Sequence, residues 1–159
     1  MEKLSQILWR ERELLDTLLF KLEEEQLVLA AGRTRWLSRA AREVENVLET
    51  IRETEILRAV AADEAAAAHG LEHNPSLRAL AGAVDEPWRS LLLDHHETFT
   101  SLTHEIAALA DANRELITTG YRSARETLLS FGAGTESYAA DGSAVVVSDT
   151  RRPILDWSL

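Results

Sequence analysis

The sequence contains 159 residues, of which 45% are apolar and 28% are charged, and its formal net charge is −10. A chain of this length can bury the core of one domain, and the absence of cysteine excludes disulfides, cysteine-ligated metal centres and thiol catalysis. The acidic balance argues against nucleic acid as the main partner. Because its apolar runs are far shorter than a membrane span of roughly 20 residues and no secretory signal is recognised, we expect a cytoplasmic protein without membrane insertion.

Glycine and proline residues divide the chain into segments that are rich in Leu, Ala, Glu and Arg, which are strong helix formers. The pattern predicts a first helix over residues 3–31, which Gly32 ends. A second helix is predicted over residues 34–68, with Thr34 as its N-cap.

The second half of the helical region contains two further segments. Asn74 and Pro75 predict the N-cap and first position of a short helix that ends near Leu80. Asp85 and Pro87 predict the start of a third long helix, which runs to about residue 131.

Apolar residues of the first predicted helix recur at alternating steps of four and three, which is the spacing of a coiled-coil or bundle face. Two glutamates fall on this stripe. Glu11 and Glu25 are either an acid pair in a cavity or polar positions that set the register of packing. We favour the second interpretation, with Arg58 of the second helix as a partner. The stripe consists of Leu4, Leu8, Glu11, Leu15, Leu18, Leu22, Glu25 and Leu29.

The other long helices continue this spacing. The stripe of the second helix consists of Leu37, Ala40, Val44, Val47, Ile51, Thr54, Arg58, Ala61, Ala65 and Ala68. The stripe of the third helix consists of Trp88, Leu92, His95, Phe99, Leu102, Ile106, Leu109, Asn113 and Leu116. It then slips by one residue, which predicts that the end of the helix faces a different direction or a different partner. The slipped stripe consists of Ile117, Tyr121, Ala124, Leu128 and Phe131.

These elements predict an all-α fold, an elongated antiparallel bundle of three long helices with a short connecting helix. We expect residues 1–131 to form the bundle domain and residues 132–159 a flexible, poorly structured C-terminal tail. Residues 145–147 resemble a short strand with no sheet to join. Because the third helix is the longest, we expect part of its stripe to project beyond the others and to form a partner surface.

Residues that carry chemistry are scarce. The sequence contains no phosphate-binding or dinucleotide-binding glycine loop and no metalloprotease motif. His96 and His104 fall roughly on one helix face, but no Glu-x-x-His pair of a di-iron bundle occurs. We therefore expect no enzyme activity, no metal and no cofactor. Four arginines at the start of the second helix are either a solvated helix start or a site for an anion or a partner: Arg33, Arg35, Arg39 and Arg42.

Four stretches resemble the FlgN-type flagellar export chaperones. Residues 1–32 resemble the family's first helix, with a leucine ladder and a late acidic run, and residues 56–81 resemble its Ala-rich helix end followed by Gly-Leu. Residues 109–117 resemble its Leu-Asn-x-x-Asn-Gly-x-Leu-Leu stretch; the matches are Asn113, Leu116 and Ile117, while Ala110 and Arg114 depart from it. Residues 137–143 resemble its Tyr-Gly-x-x-Gly segment; Tyr138 and Gly142 match and Ala139 departs.

The resemblance implies a cytoplasmic chaperone of flagellar type III export. Such proteins bind the C-terminal helical ends of hook–filament junction proteins, prevent their premature self-assembly and deliver them to the export gate. It points to Ile117, Tyr121, Ala124, Leu128 and Phe131 as the cargo-binding residues and to Tyr138 as the residue that docks on the export gate. A weak homodimer is compatible with this function. Two alternatives stay open: a self-associating coiled-coil scaffold or adaptor without export cargo, and a helical bundle enzyme that binds a metal or a small molecule.

Overall fold

The computed structural model describes residues 1–133, 137–138 and 144–145. Its four helices are α1 (Glu2–Ala30), α2 (Thr34–Ala68), α3 (Leu77–Ala83) and α4 (Trp88–Ala133). They are followed by two short antiparallel strands, β1 (Ser137–Tyr138) and β2 (Ala144–Val145). The predicted all-α fold, with three long helices and a short connecting one, is confirmed.

The chain divides into two compact units, residues 1–117 and 118–159. The domain boundary expected after residue 131 stays a prediction. The flexible tail was expected over residues 132–159, which lie almost wholly outside the described residues. One expectation for this segment was wrong: Val145 belongs to β2, which does have a partner strand, since Tyr138 pairs with Ala144 and Ser137 pairs with Val145.

Glycines in left-handed conformation end the first two helices. Gly32 has φ +63°, its N–H donates to the Leu29 carbonyl at 3.1 Å, and the Arg33 N–H donates to the Val28 carbonyl at 3.0 Å. This pair of hydrogen bonds is the Schellman motif, which satisfies carbonyls left free at a helix end. The end of α2 repeats it around Gly70, which has φ +71°.

Two predicted N-caps were wrong. Thr34 is the first helical residue of α2; the preceding Arg33 occupies the cap position, without a side-chain cap hydrogen bond. The cap of α3 is Ser76, whose Oγ accepts a hydrogen bond from the Ala79 N–H at 3.1 Å. Asn74 instead adopts φ +57° in the loop, and its N–H donates to the Asp63 carboxylate at 2.6 Å. That hydrogen bond holds the pKa of Asp63 below its ordinary value.

Ion pairs and hydrogen bonds establish how the helices of the first unit run. Lys3 pairs with Glu64 and Lys21 pairs with Glu43, so α1 and α2 are antiparallel. The Asn113 amide of α4 donates to the Leu22 carbonyl of α1 at 2.9 Å. Arg12, nearer the start of α1, pairs with Asp94, nearer the start of α4. Helices α1 and α4 therefore run in the same direction, with α2 against both.

The core of the first unit has two clusters. The first joins α1, the Ala-rich end of α2, α3 and the start of α4, and it consists of Leu4, Leu8, Ala61, Ala62, Ala65, Ala66, Leu77, Leu80, Ala81, Val84 and Leu92. The second joins the three long helices farther along and consists of Leu15, Leu18, Leu22, Ile51 and Leu102. Small alanines in α2 leave room for the short helix α3 to pack at this end of the bundle.

The predicted stripes are confirmed over most of their length. All seven buried residues of α1 lie on its predicted stripe, including Glu11 and Glu25. Two ends of the predicted stripes were wrong. Ala68 is exposed, because α2 ends there, and Leu116 is 38% exposed, because the buried stripe of α4 ends at Asn113. Periodicity alone does not show where a packed neighbour stops.

Within the described residues, no helix is both long enough and apolar enough to cross a membrane.

Candidate protein-binding site

The predicted cargo-binding residues of α4 are exposed. Tyr121, Leu128 and Phe131 expose 72%, 72% and 73% of their surface, and Ala124 is exposed as well. These four residues define the α4 apolar surface. Their spacing of three, four and three places them on one side of the helix.

Ile117 is the last residue of the first unit and is 45% exposed. It therefore also presents apolar surface to solvent, at the position where the predicted stripe slips. The structure does not test what Ile117 or the α4 apolar surface binds, so their role stays a prediction.

An exposed row of large apolar side chains is unusual on a protein that stays alone. Full burial of a Leu or Phe side chain stabilises a complex by about 1.5–3 kcal/mol. The sequence analysis missed Leu129, which is 62% exposed and lies roughly 100° around the helix from Leu128. Leu129 lies off the predicted stripe, so the sequence gives no sign of its exposure except its position next to Leu128.

Tyr138, the residue predicted to dock on the export gate, belongs to β1. Its backbone pairs with that of Ala144. Its side chain lies outside what the structure describes, so the predicted docking role stays untested.

One buried polar position pairs as predicted. Glu11 is 5% exposed, and its Oε2 lies 2.8 Å from the Arg58 Nε on α2. Burial raises the pKa of Glu11; the positive charge of Arg58 opposes this shift, and nearby Glu55 adds to it. A buried ion pair of this kind joins helices in one register, because displacement would leave the carboxylate unpaired.

The second buried glutamate has a partner that the sequence analysis did not predict. The Asn113 Nδ2 donates to the Glu25 Oε2 at 3.1 Å as well as to the Leu22 carbonyl. Asn113 is 2% exposed. This asparagine belongs to the stretch that resembles the family, and in this chain it joins α4 to α1 inside the bundle. It is therefore not available to contact a partner.

His95 is the most unusual buried polar residue. It has no exposed surface, and neither ring nitrogen has a hydrogen-bond partner among the described residues. Its ring meets the Trp9 ring edge-on, with 4.8 Å between ring centroids, and lies near Phe99. Burial lowers the pKa of His95; Arg12 on α1 lowers it further and Asp94 on α4 raises it. The site favours neutral imidazole.

His96 and His104 share one shallow groove, of about 470 Å³, with Arg78 of α3 and Thr100 of α4. The sequence analysis placed the two histidines on one face, and the structure confirms this. Among the described residues, no group of three histidine or carboxylate side chains is arranged to hold a metal ion.

Comparison with known proteins identifies the family of the chain. No curated protein and no solved structure matches it. The family described as FlgN protein matches residues 1–145, from the first residue to the end of β2. This match covers α1 to α4 and both strands, so the resemblance seen in four stretches extends over most of the chain. The chain therefore belongs to the FlgN family, whose general role is that of a flagellar export chaperone.

Proposed function

We propose that this chain is a cytoplasmic chaperone of flagellar type III export whose cargo is the C-terminal helical ends of hook–filament junction proteins. It covers those ends, prevents their premature self-assembly and delivers the cargo to the export gate. The observation that carries the proposal is the exposure of the α4 apolar surface in a chain of the FlgN family.

The α4 apolar surface suits a helical cargo. An amphipathic helix buries its own apolar stripe against a matching row of side chains at helical spacing. Tyr121, Leu128 and Phe131 provide such a row, with Ala124 as a small residue that allows close approach. Ile117, which belongs to the first unit, is a further proposed cargo-binding residue. Cargo that polymerises through apolar helical ends would bury in the complex the surface that otherwise drives its assembly.

We further propose that the protein acts by binding alone, without catalysis, metal or cofactor. The support is the sequence, which lacks cysteine and the common nucleotide-binding and metalloprotease motifs. Tyr138 is the proposed contact with the export gate. This assignment rests on the resemblance of residues 137–143 to the family's Tyr-Gly-x-x-Gly segment, from which Ala139 departs.

The test of cargo binding uses single substitutions on two sides of α4. Leu128→Asp should weaken binding to purified junction proteins at least about tenfold, since a buried unpaired carboxylate is strongly unfavourable. Leu129→Asp is the matched control, with similar exposure and chemistry on a different side of the helix. Isothermal titration calorimetry gives the affinities, and circular dichroism checks that helicity is unchanged. Equal affinities for the two variants would contradict the proposed surface.

The test of export uses Tyr138→Ala. We expect cargo binding to be retained, while secretion of junction proteins and motility fall. Normal secretion in a strain that carries only this variant would remove Tyr138 from the mechanism.

A self-associating scaffold without cargo is the alternative function. The same exposed residues would then bury against a second copy of the chain, and Leu128→Asp would convert an oligomer to a monomer. Light scattering of the purified wild type, alone and with a junction protein, separates the two functions. A weak homodimer that dissociates when cargo binds is compatible with the chaperone, whereas a stable oligomer that excludes cargo is not.

A further inference from the structure

A second exposed surface lies within the first unit, where the end of α1 meets the start of α2. Leu27 and Val28 of α1 and Trp36 and Ala40 of α2 line an open groove of about 320 Å³, which we call the α1–α2 groove. Leu27 is 70% exposed and Trp36 is 44% exposed. The α1–α2 groove therefore offers an apolar floor to solvent, at a site that the cargo surface does not include.

The segment that turns from α1 into α2 beside this groove is positively charged, although the groove lining itself contains Glu24, Glu43 and Arg39. Residues 26–42 contain four arginines and no acidic residue, although the formal net charge of the chain is −10. Arg35, Arg39 and Arg42 occupy positions i, i+4 and i+7 of α2, so they lie on one face and span about 10 Å along the helix. They form a positive row beside the groove.

The carboxylates at the rim of the groove are already paired. The Lys21 Nζ lies 2.6 Å from Glu24 and 2.8 Å from Glu43, and the Arg39 Nε lies 3.0 Å from Glu43. Hydrogen bonds from Lys21 and then Arg39 hold the pKa of Glu43 below its ordinary value. Both rim acids therefore have a cationic partner, and Arg39 is occupied by Glu43, so the excess positive charge belongs to the remaining arginines.

The other three arginines have no carboxylate partner within the part of the chain that the structure describes. These are Arg33, Arg35 and Arg42. The Arg35 guanidinium lies 4.9 Å from the centre of the Trp36 ring, which keeps one of these charges at the edge of the groove. The exposed Trp36 ring with the Arg35 guanidinium against it therefore offers a partner both charge and apolar contact.

We propose that the α1–α2 groove and its arginine row are a docking site for an acidic amphipathic helix of a partner protein. An apolar side chain of that helix enters the groove against Leu27 and Trp36. Its carboxylates pair with Arg35 and Arg42, which lie seven residues apart on one face of α2. This interaction goes beyond the proposed cargo binding, because it uses residues of α1 and α2 and a partner of defined charge.

Two features favour a protein helix over an anionic lipid surface. The site is a groove with room for inserted side chains, whereas a flat headgroup layer would leave the groove unfilled. Glu24 and Glu43 line its rim, where phosphate groups would approach carboxylates. A peptide helix can instead direct its acids toward the arginine row and its apolar side chains toward the floor.

The test titrates the full chain with a synthetic helical peptide of about twenty residues that carries a leucine stripe flanked by glutamates at i, i+4 spacing. The matched peptide has lysine at each glutamate position. Fluorescence anisotropy should show low-micromolar binding of the acidic peptide that weakens with salt, and at least about tenfold weaker binding of the basic one.

Variants of the protein locate the binding. The double variant Arg35→Glu, Arg42→Glu and the single variant Trp36→Ala should each weaken acidic-peptide binding at least about tenfold. The matched control is Arg122→Glu, Arg125→Glu, the same charge change at two exposed arginines of α4. The control and Leu128→Asp should bind the peptide as the wild type does, which separates this site from the cargo surface.

Three results would overturn the proposal. The first is equal loss of peptide binding in the arginine variant and in its control. The second is failure of the acidic peptide to bind while phosphatidylglycerol vesicles do, which would assign the arginines to lipid. The third is a wild-type dimer that Arg35→Glu, Arg42→Glu dissociates, which would assign the groove to a second copy. Circular dichroism and urea midpoints verify folding, and Leu27→Ala replaces Trp36→Ala if the latter unfolds.

Discussion

Replacement of His95 by leucine should stabilise the first unit, although His95 has no exposed surface. An unpaired polar group in a buried site destabilises a protein by about 1–3 kcal/mol, and neither ring nitrogen of His95 has a partner among the described residues. Leucine removes that penalty but also removes the edge-on contact with Trp9, which stabilises by about 0.5–1.5 kcal/mol. The expected net gain at about pH 7.5 is about 1 kcal/mol in the free energy of unfolding.

The larger effect of His95→Leu is on the way in which the free energy of unfolding depends on pH. Burial lowers the pKa of His95 in the folded state, from an ordinary value of 6.5. As the pH falls below that value, the unfolded chain binds a proton that the folded chain does not, so stability falls. Between about pH 7.5 and 5.5 this difference reaches up to about 1.4 kcal/mol for one histidine. His95→Leu should abolish that loss, so the gain over wild type should grow to about 2 kcal/mol at the lower pH.

The assay is urea unfolding followed by circular dichroism at both pH values, with His104→Leu as the matched control. His104 is exposed on the same helix, so its substitution should keep the wild-type pH dependence. The reasoning is refuted if His95→Leu loses as much stability on acidification as the wild type does, since some other group would then bind the proton. A destabilisation at both pH values would also contradict the reasoning, since the ring contacts of His95 would then outweigh the penalty of its unpaired nitrogens.

Three further predictions concern a buried hydrogen bond, a helix cap and the C-terminal residues. Asn113→Ala should lower the free energy of unfolding by about 2–4 kcal/mol, because it leaves the buried Glu25 carboxylate without its donor; the loss should shrink in a Glu25→Gln background, and equal losses in both backgrounds would contradict the pairing. Ser76→Ala should lower the free energy of unfolding by about 1 kcal/mol, as measured by urea denaturation. Thr34→Ala should change it little, because of these two residues only Ser76 accepts a cap hydrogen bond. Removal of residues 146–159 should leave the urea midpoint of the first unit unchanged, since both core clusters lie within residues 4–102.

Much of the first unit could be predicted from the sequence, because helix periodicity and helix ends depend on residues that are close together in the chain. The steps of four and three that identify Leu4, Leu8 and Leu15 as core also identify Glu11 and Glu25 as buried, since helix geometry places all of them on one face. Gly32 and Gly70 end their helices through a backbone conformation that glycine adopts readily. Capping was less predictable, because Asn74 and Ser76 are both good cap residues. In the structure Ser76 caps α3, whereas the Asn74 N–H donates to the Asp63 carboxylate in the loop.

The two candidate sites also differ in how far the sequence alone could predict them. The slipped stripe of α4 was found from spacing alone, and the structure shows Tyr121, Leu128 and Phe131 exposed. That they face a partner stays a prediction. The α1–α2 groove could not be found in this way. Leu27 and Trp36 lie on different helices and off the buried stripes, and their proximity depends on how the turn brings α2 back against α1.

By itself the sequence determined which segments are helical, which face of each is buried and where glycine ends a helix, because these properties depend on residues within a few turns of one another. Only the tertiary structure decided the partners of the buried polar groups. The pairing of Glu25 with Asn113 joins residues 88 positions apart, and the solvent-free position of His95 depends on Trp9 from another helix. Such contacts follow from how helices align with one another, which the periodicity of a single helix does not specify.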